Sequence, residues 1–369
     1  MHFGFTQAER ELFERMKALG ARVEKAPHQD RLEMLAQAGV LGLSIPEEYG
    51  GGGFRLVATA GAYEALGTSL FDGGVLLAAG AHLFGVAMMI AKLGTVEQKT
   101  LLLPDLANGK VIATVAATEE ESGSDVSGAR AAAETTDNGF VITGNKRYVT
   151  AAARARLFFT IARNGQSGRG LSAFVVPRNA NGITVGEPLR VMGLHNAELA
   201  PVSFYETRVD KSALIGKAGA GIAAFQVAMT YERALILAFR LGAMAEELKR
   251  SIHFVRTRRL GDTPIAKHQA VAHRVARMKM TLETSRLMTY RAAWALDQGQ
   301  RAQEEAALAK WHVAESATAF MLDAIKLRGG KAFLEEGGLV QTLNDTVGGS
   351  FHSGTEEVLA NIVAAWLGL

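Results

Sequence analysis

The chain has 369 residues, 48% of them hydrophobic and 21% charged, with a formal net charge of +3. This composition favours a folded, mostly helical protein of two or three structural units, and the small charge provides no basic stripe for nucleic acid. The absence of cysteine excludes disulfides, thiolate metal sites, iron–sulfur ligation and a catalytic thiol. Because the N-terminal stretch lacks the order of a signal peptide, and His and Lys interrupt the longest apolar run, 75–94, we expect a cytoplasmic protein without a membrane span.

The first 110 residues have the apolar spacing of helices. Steps of three and four between apolar side chains predict four helices. They cover 6–24, 30–42, 57–68 and 75–93. Thr95-Val-Glu-Gln98 has the form of a capping box and predicts the start of a fifth helix. Residues 44–53, SIPEEYGGGG, have the composition of a loop.

From about residue 111 to residue 215 the pattern changes to short runs in which apolar and polar residues alternate. Gly, Asn and Pro separate these runs, so the sequence predicts an all-β insert between helical regions. The runs are 140–143, 147–150, 157–162, 172–177, 183–185 and 202–209. Asp137-Asn138-Gly139 is a turn signal before the first run. His195 has no second His at metal-binding spacing, which favours a surface polar residue over a ligand.

The stretch 112–150 carries the most informative motif. An apolar run ends in Thr118 and three glutamates, and Ser122-Gly-Ser-Asp125 follows as strong turn chemistry. Small residues there would let backbone amides approach a flat ligand closely. Considered alone, Thr118-x-x-Glu121 also has the form of a capping box at the start of a helix.

The region from 216 to 369 returns to helical spacing, with helices predicted over 221–250, 266–297 and 302–327. Gly219-Ala-Gly221 lacks the preceding strand and the later acidic residue of a dinucleotide motif, so it indicates a turn into the first of these helices. Glu232 falls in the apolar stripe of that helix. Because a buried carboxylate is costly without a partner, Glu232 is either paired with a basic residue such as Arg233 or a desolvated base, and the pattern leaves both open.

Taken jointly, these motifs resemble the acyl-CoA dehydrogenase family, from about residue 6 to the C-terminus. The family carries Thr-Glu-Pro-x-x-Gly-Ser-Asp, and Gly-x-Lys-x-Trp-Ile-Thr follows about twenty residues on. The matching residues are Thr118, Glu119, Gly123, Ser124, Asp125, Gly144, Lys146 and Thr150. Glu120 replaces the family's Pro and Tyr148 replaces its Trp, although a tyrosine keeps an aromatic plane for stacking on a flavin.

The resemblance implies a mainly α fold with a central β-domain. Its parts would be an N-terminal helical domain (1–110), a β-barrel-like middle domain (111–215) and a C-terminal four-helix bundle (216–369). FAD would lie between the last two, held partly by a neighbouring chain, which implies a homodimer or homotetramer. The residues implied at the cofactor are Thr118, Ser124, Tyr148, Thr150, Arg258, Gln269, Lys326, Gly329, Gly330 and Thr355.

Two of these positions depart from the family pattern. Gly261-Asp262 replaces a Phe-Gly pair near Arg258, and Lys326 stands where the family has Gln. An aspartate repels a diphosphate, and a lysine provides a point charge but cannot copy the pairing of an amide. Without the resemblance, Arg258 belongs to a solvated basic cluster, and 348–355 is only a Gly/Ser turn before the last helix.

The resemblance also implies the chemistry. The family often has its catalytic Glu directly before Gly354, where this chain has Ser353. In isovaleryl-CoA dehydrogenase-like members a small residue stands there, and the base is a Glu immediately before an Arg in the long helix. Glu232-Arg233 has that form, so Glu232 would remove the α-proton of an acyl thioester while the flavin accepts the β-hydride.

Further site residues follow from the same resemblance. Ser124, Arg233 and Gly354 would lie at the substrate, and the backbone amide of Ser353 would donate to the thioester carbonyl. The thioester would ride on CoA or on a carrier protein, and a flavoprotein or another acceptor would take the electrons. Two alternatives stay open, because a fold does not determine a function: a flavin monooxygenase on the same fold, or a cofactor-free, non-catalytic relative.

Overall fold

A computed structural model describes residues 4–164, 170–334 and 338–369 of the protein. Its first part is helical. The helices are α1 (Gln7–Glu24), α2 (His28–Gln37), α3 (Leu56–Gly67), α4 (Gly73–Gly80), α5 (Met88–Leu93) and α6 (Val96–Ala107). A π-helical segment, Ala81–Ala87, joins α4 to α5 without a break. The predicted capping box is formed at the start of α6, where the Thr95 hydroxyl accepts from the backbone N–H of Gln98.

The helix predicted over 30–42 is wrong in its second half. The α2 helix ends at Gln37, and Gly39 adopts the left-handed conformation with φ 77°. A separate 3-10 turn, Val40–Gly42, follows. A glycine with positive φ is a common way to end a helix, because glycine lacks the Cβ that penalises this conformation.

The middle part is a single sheet. Its strands are β1 (Ala113–Ala116), β2 (Ala132–Thr136), β3 (Gly139–Val149), β4 (Leu157–Arg163), β5 (Leu171–Pro177), β6 (Ile183–Val185), β7 (Ala200–Asp210) and β8 (Leu214–Ile215). The order along the sheet is β6-β7-β3-β2-β4-β5-β8, with β1 pairing parallel to β4. As predicted, the turn at 137–139 joins two paired strands, with Thr136 opposite Gly139.

The two strands predicted at 140–143 and 147–150 form one strand instead. The β3 strand runs through both ranges, and its pairing with β7 shifts register between Ile142 and Gly144 and again between Lys146 and Val149. Irregularities of this kind bend a strand without ending it. The gap between the two apolar runs therefore marked two register shifts within one strand.

The last part is a helical bundle. Its helices are α7 (Gly221–Leu235), α8 (Ala238–Thr257), α9 (Gln269–Asp297), α10 (Gln303–Arg328), α11 (Leu339–Gly348) and α12 (Glu356–Trp366). A short hairpin of β9 (Arg259–Leu260) and β10 (Thr263–Pro264) lies between α8 and α9. The four helices α7 to α10 pack on one another, and α12 packs on α10.

The single helix predicted over 221–250 is wrong, because a turn at Ile236 and Leu237 interrupts it before α8 begins. Both residues at the break are apolar and buried, so the spacing of apolar side chains could not report it. In α8, Gly242 lies directly against α3, where a Cβ would come 1.9 Å from the carbonyl oxygen of Glu64. This close approach leaves no room for a side chain at position 242.

Apolar side chains form two cores. The larger runs through both helical parts and includes one face of the sheet, and the smaller lies on the other face of the sheet and is rich in Phe. Two helical stretches, Gly73–Leu93 and Gly221–Thr257, are long and apolar enough by composition to cross a membrane. In the structure 89% of the most apolar 18-residue segment of the first stretch is buried, and 61% of that of the second. Packing against the core therefore accounts for much of their apolar character.

Candidate active site around Glu232

Glu232 lies on α7 in a nearly closed environment and is only 7% exposed. One side of its carboxylate faces the π-helical segment, where a Cβ at Gly85 would come 2.3 Å from Oε2 of Glu232. Burial raises the pKa of Glu232, while a hydrogen bond from Ser353 and the nearby charges of Arg233 and Lys310 act in the opposite direction. A carboxylate with a raised pKa in a buried site is suited to act as a base.

The turn at Ser353 and Gly354 is tied to α7 at two points. The hydroxyl of Ser353 donates to Oε1 of Glu232, and the Nε of Arg233 donates to the carbonyl oxygen of Ser353 at 2.8 Å. Both turn residues have positive φ, 58° for Ser353 and 106° for Gly354. For Ser353 this conformation is strained, so the surrounding contacts must hold it in place.

His352 extends this hydrogen-bond chain. Its Nδ1 lies 3.1 Å from Oγ of Ser353. Because the Ser353 hydroxyl already donates to Glu232, Nδ1 of His352 must carry the proton and donate to Ser353. Burial, together with the positive charges of Lys310 and Arg240, holds the pKa of His352 well below its ordinary range. A neutral His352 therefore donates to Ser353, and Ser353 donates to the carboxylate.

Sequence reasoning missed one further member of the site, Lys310. This residue on α10 is 1% exposed, and its Nζ donates to the carbonyl oxygen of Gly354 at 2.5 Å. Burial and the charge of Arg233 lower the pKa of Lys310 to about 7. A signal was present in the sequence, because Lys310 directly follows an apolar run, 306–309, whose alanines are buried.

The residues expected at the flavin from the sheet domain lie on two neighbouring segments. The backbone N–H of Arg147 donates to the carbonyl oxygen of Thr118 at 2.8 Å, which places Thr118 beside the end of β3. Tyr148, next along, has φ 55° and a 54% exposed side chain. Thr150 lies two residues further on, and its carbonyl accepts from the hydroxyl of Thr114 at 2.6 Å. The exposed Ser124 lies in the loop after Thr118.

The capping-box interpretation of Thr118 is wrong, because the chain is not helical there. Glu119 instead accepts from Nζ of Lys146 at 2.7 Å and from the backbone N–H groups of Arg130 and Ala131. Lys146 is fully buried and also donates to two backbone carbonyls. This buried ion pair holds the loop that contains Ser124 against the sheet.

The other residues expected at the cofactor lie on the helical bundle. Arg258 follows the end of α8, Gln269 begins α9, and Lys326 is in the last turn of α10. All three are exposed, and so are Gly329 and Gly330, where an added Cβ would meet nothing within 4 Å.

Thr355 already has a structural role, because its hydroxyl caps the N-terminus of α12. The backbone carbonyl of Asp262, beside Arg258, accepts from the side chain of Arg259.

This donor set fits FAD. An exposed aromatic ring at Tyr148 and the hydroxyls of Thr118 and Ser124 suit a flavin ring and its ribityl chain. Two exposed cations, Arg258 and Lys326, suit a diphosphate. Within the described ranges no group of three His, Cys, Asp or Glu side chains is placed to hold a metal ion.

Comparison with known proteins identifies the class. Models of the N-terminal, middle and C-terminal domains of acyl-CoA dehydrogenase match residues 6–110, 114–207 and 219–368. The three-part fold is that of the acyl-CoA dehydrogenases, which are FAD-dependent dehydrogenases of acyl thioesters. The chain belongs to the acyl-CoA dehydrogenase family, and the predicted family, fold class, reaction class and cofactor are confirmed.

Three similar proteins refine this comparison. The chain is 39% identical over 336 residues to an L-prolyl-[peptidyl-carrier protein] dehydrogenase of Pseudomonas fluorescens, covering 90% of this chain and 88% of that protein. The structure matches the prolyl acyl carrier protein oxidase AnaB with a TM-score of 0.96 at 29% identity, covering 99% and 100%. It matches PigA with FAD and proline with a TM-score of 0.94 at 31% identity, covering all of both chains.

Proposed function

We propose that the chain catalyses the α,β-dehydrogenation of a prolyl thioester attached to a peptidyl carrier protein, with Glu232 as the base. The assignment of Glu232 as the base rests on the hydrogen bond from the Ser353 hydroxyl to the buried Glu232 carboxylate. The substrate part is supported by the prolyl carrier-protein enzymes among the similar proteins, and by the similar structure of PigA, which was solved with FAD and proline.

The geometry of the carboxylate suits proton abstraction. Oε1 of Glu232 accepts from Ser353, which leaves Oε2 to take the α-proton of the substrate. Because burial disfavours the charged carboxylate, taking up a proton is favourable there. The hydroxyl of Ser353 can continue to donate to Oε1 after the transfer, so the carboxyl group stays in position.

The other groups of the site would bind and orient the substrate. The backbone amide of Ser353 would donate to the thioester oxygen and stabilise the negative charge that develops when the α-proton leaves. Ser124, Arg233 and Gly354 would surround the thioester and its carrier arm. FAD, when bound, accepts the β-hydride, and Thr118, Tyr148 and Thr150 would hold its flavin end.

We also propose an assembly and a cellular context. Arg258, Gln269 and Lys326, with the Gly329-Gly330 pair, are exposed on the bundle, where a neighbouring chain and a shared cofactor would cover them. A homodimer or homotetramer would result. The reduced cofactor would pass its electrons to a flavoprotein or another acceptor in the cytoplasm.

The test uses the FAD-loaded protein and a carrier protein bearing prolyl phosphopantetheine. Under anaerobic conditions the oxidised flavin absorbance should disappear, and the acyl group should lose two hydrogens by mass spectrometry. Prolyl-CoA and a straight-chain acyl-CoA serve as comparisons. If an acyl-CoA reduces the flavin and the prolyl carrier protein does not, the proposed substrate is wrong. If none of the thioesters reduces it, the proposed reaction is wrong.

A further inference from the structure

Lys310 is an unusual residue for the interior of a helical bundle. It lies on α10 among buried alanines and is 1% exposed. A buried ammonium group is destabilising unless a partner compensates for its lost hydration. Its partner is the carbonyl oxygen of Gly354, 2.5 Å from Nζ. The buried cation therefore binds the turn that contacts Glu232.

Two cations hold two consecutive carbonyls of this turn. Arg233 on α7 holds the carbonyl of Ser353, and Lys310 on α10 holds the carbonyl of Gly354. Because a peptide group is planar and its C=O and N–H point in opposite directions, these two contacts fix the orientation of both peptide groups. They thereby hold the conformation of Gly354, whose φ is positive, and fix the peptide group that follows Ser353. The position of the Ser353 hydroxyl on Glu232 depends on this backbone conformation.

The charges around Lys310 link it to the carboxylate. Glu232 and Arg233 face it from α7, Glu356 from α12, and His352 from the turn. The positive charge of Lys310 lowers the pKa of Glu232, against the larger effect of burial. Burial and Arg233 in turn lower the pKa of Lys310 to about 7. A change in the charge of Lys310 therefore changes the proton affinity of Glu232.

We propose that Lys310 is a positioning residue for proton abstraction: its ammonium group holds the Gly354 carbonyl, maintains the strained turn that places Ser353 on Glu232, and favours the ionised form of that carboxylate. This role rests on the proposed function of Glu232 as the base. Lys310 would thus contribute to catalysis from α10 without contact with the substrate.

The test is Lys310→Met, which keeps an unbranched chain of similar length and removes the charge. Flavin reduction by the thioester in rapid mixing should be slower by roughly ten- to a hundred-fold, because the same turn presents the Ser353 backbone amide that would donate to the thioester oxygen, and this geometry is lost with the lysine. In the plot of reduction rate against pH, the acidic limb should move to higher pH, because Glu232 loses a stabilising cation. Lys17→Met, on the exposed side of α1, is the matched control and should change neither quantity.

A second variant separates positioning from packing. Lys310→Ala leaves space where the side chain was, and added propylamine should restore part of the rate by supplying an ammonium group to the Gly354 carbonyl. A Lys310→Met rate within two-fold of the parent, with an unchanged acidic limb, would overturn the proposal. So would a loss of rate in both variants with no shift of the limb and no rescue by amine.

Glu232→Gln, measured in parallel, distinguishes the two proposals. If Glu232→Gln reduces its flavin at nearly the parent rate, the assignment of the base fails. If Glu232→Gln is inactive while both Lys310 variants behave like the parent, only the role of Lys310 fails. Retained flavin absorbance in every variant shows that folding and cofactor binding are intact.

Discussion

The hydroxyl of Ser353 donates a hydrogen bond to the carboxylate of Glu232, although 121 positions separate the two residues in the sequence. The contact explains why a small hydroxyl residue fits directly before Gly354. Ser353 leaves space for a carboxylate that comes from α7 and holds one of its oxygens.

Replacement of Glu232 by Gln should abolish most proton abstraction while leaving binding intact. Gln keeps the shape and can still accept from Ser353, but it cannot take the α-proton. The rate of flavin reduction in rapid mixing should fall by roughly two to four powers of ten, the usual effect of removing a positioned base. FAD content and thioester affinity should stay close to those of the parent. A rate within a few-fold of the parent would make Glu232 a structural carboxylate.

Glu232→Gln should also change how stability depends on pH. Burial raises the pKa of Glu232 above its unfolded value, so the folded state binds more protons than the unfolded state between those two values. Stability contributed by the protonated form is therefore present below the unfolded pKa and is lost as pH rises through the folded pKa. Thermal melting of the FAD-free protein should show this loss in the parent and not in Glu232→Gln.

Ser353→Ala should keep most activity at alkaline pH and lose activity at acidic pH. The hydroxyl cannot itself be the base without an activator, and His352 donates to it rather than accepting from it. Because the Ser353 hydrogen bond lowers the pKa of Glu232, its removal should shift the acidic limb of the rate profile to higher pH. A loss at all pH values as large as that of Glu232→Gln would instead indicate that Ser353 takes part in proton transfer.

Lys326→Ala should weaken FAD binding modestly without affecting folding. Lys326 is exposed in the last turn of α10, beside the open Gly329-Gly330 pair, and a lysine there would provide a point charge to a diphosphate. Titration of the FAD-free protein with FAD measures the effect, and Lys17→Ala is the control.

Light scattering on the FAD-loaded parent should show a dimer or tetramer. A monomer that retains FAD would contradict the shared site.

Lys146→Met should destabilise the sheet domain strongly. Lys146 is fully buried and donates to Glu119, so its removal leaves a carboxylate without its main partner. The loss in unfolding free energy should be about 3 kcal/mol, as for other broken buried ion pairs. The double variant Lys146→Met/Glu119→Gln removes the unpaired charge, and denaturant unfolding should show part of the stability restored. Equal losses in the single and double variants would contradict this account.

The sequence by itself determined the family and the division into helical, sheet and helical regions. Local signals were sufficient for this: the capping box at Thr95, the turn at 137–139, and the alternation of apolar residues between 140 and 209. The motif from Thr118 to Thr150 was equally local, because its glycines and its lysine lie at set distances along a short stretch of chain. Such patterns depend on backbone geometry and burial within one element.

Only the tertiary structure decided what surrounds Glu232. The pattern of apolar residues left open whether this carboxylate is paired with a basic residue or is itself a desolvated base. The folded chain brings to it Ser353 from the turn before α12, Gly85 from a π-helical segment and Lys310 from α10. The break between α7 and α8 was also invisible, because both residues there are apolar. Contacts between distant segments depend on packing and desolvation in three dimensions, and apolar spacing along the chain carries no record of them.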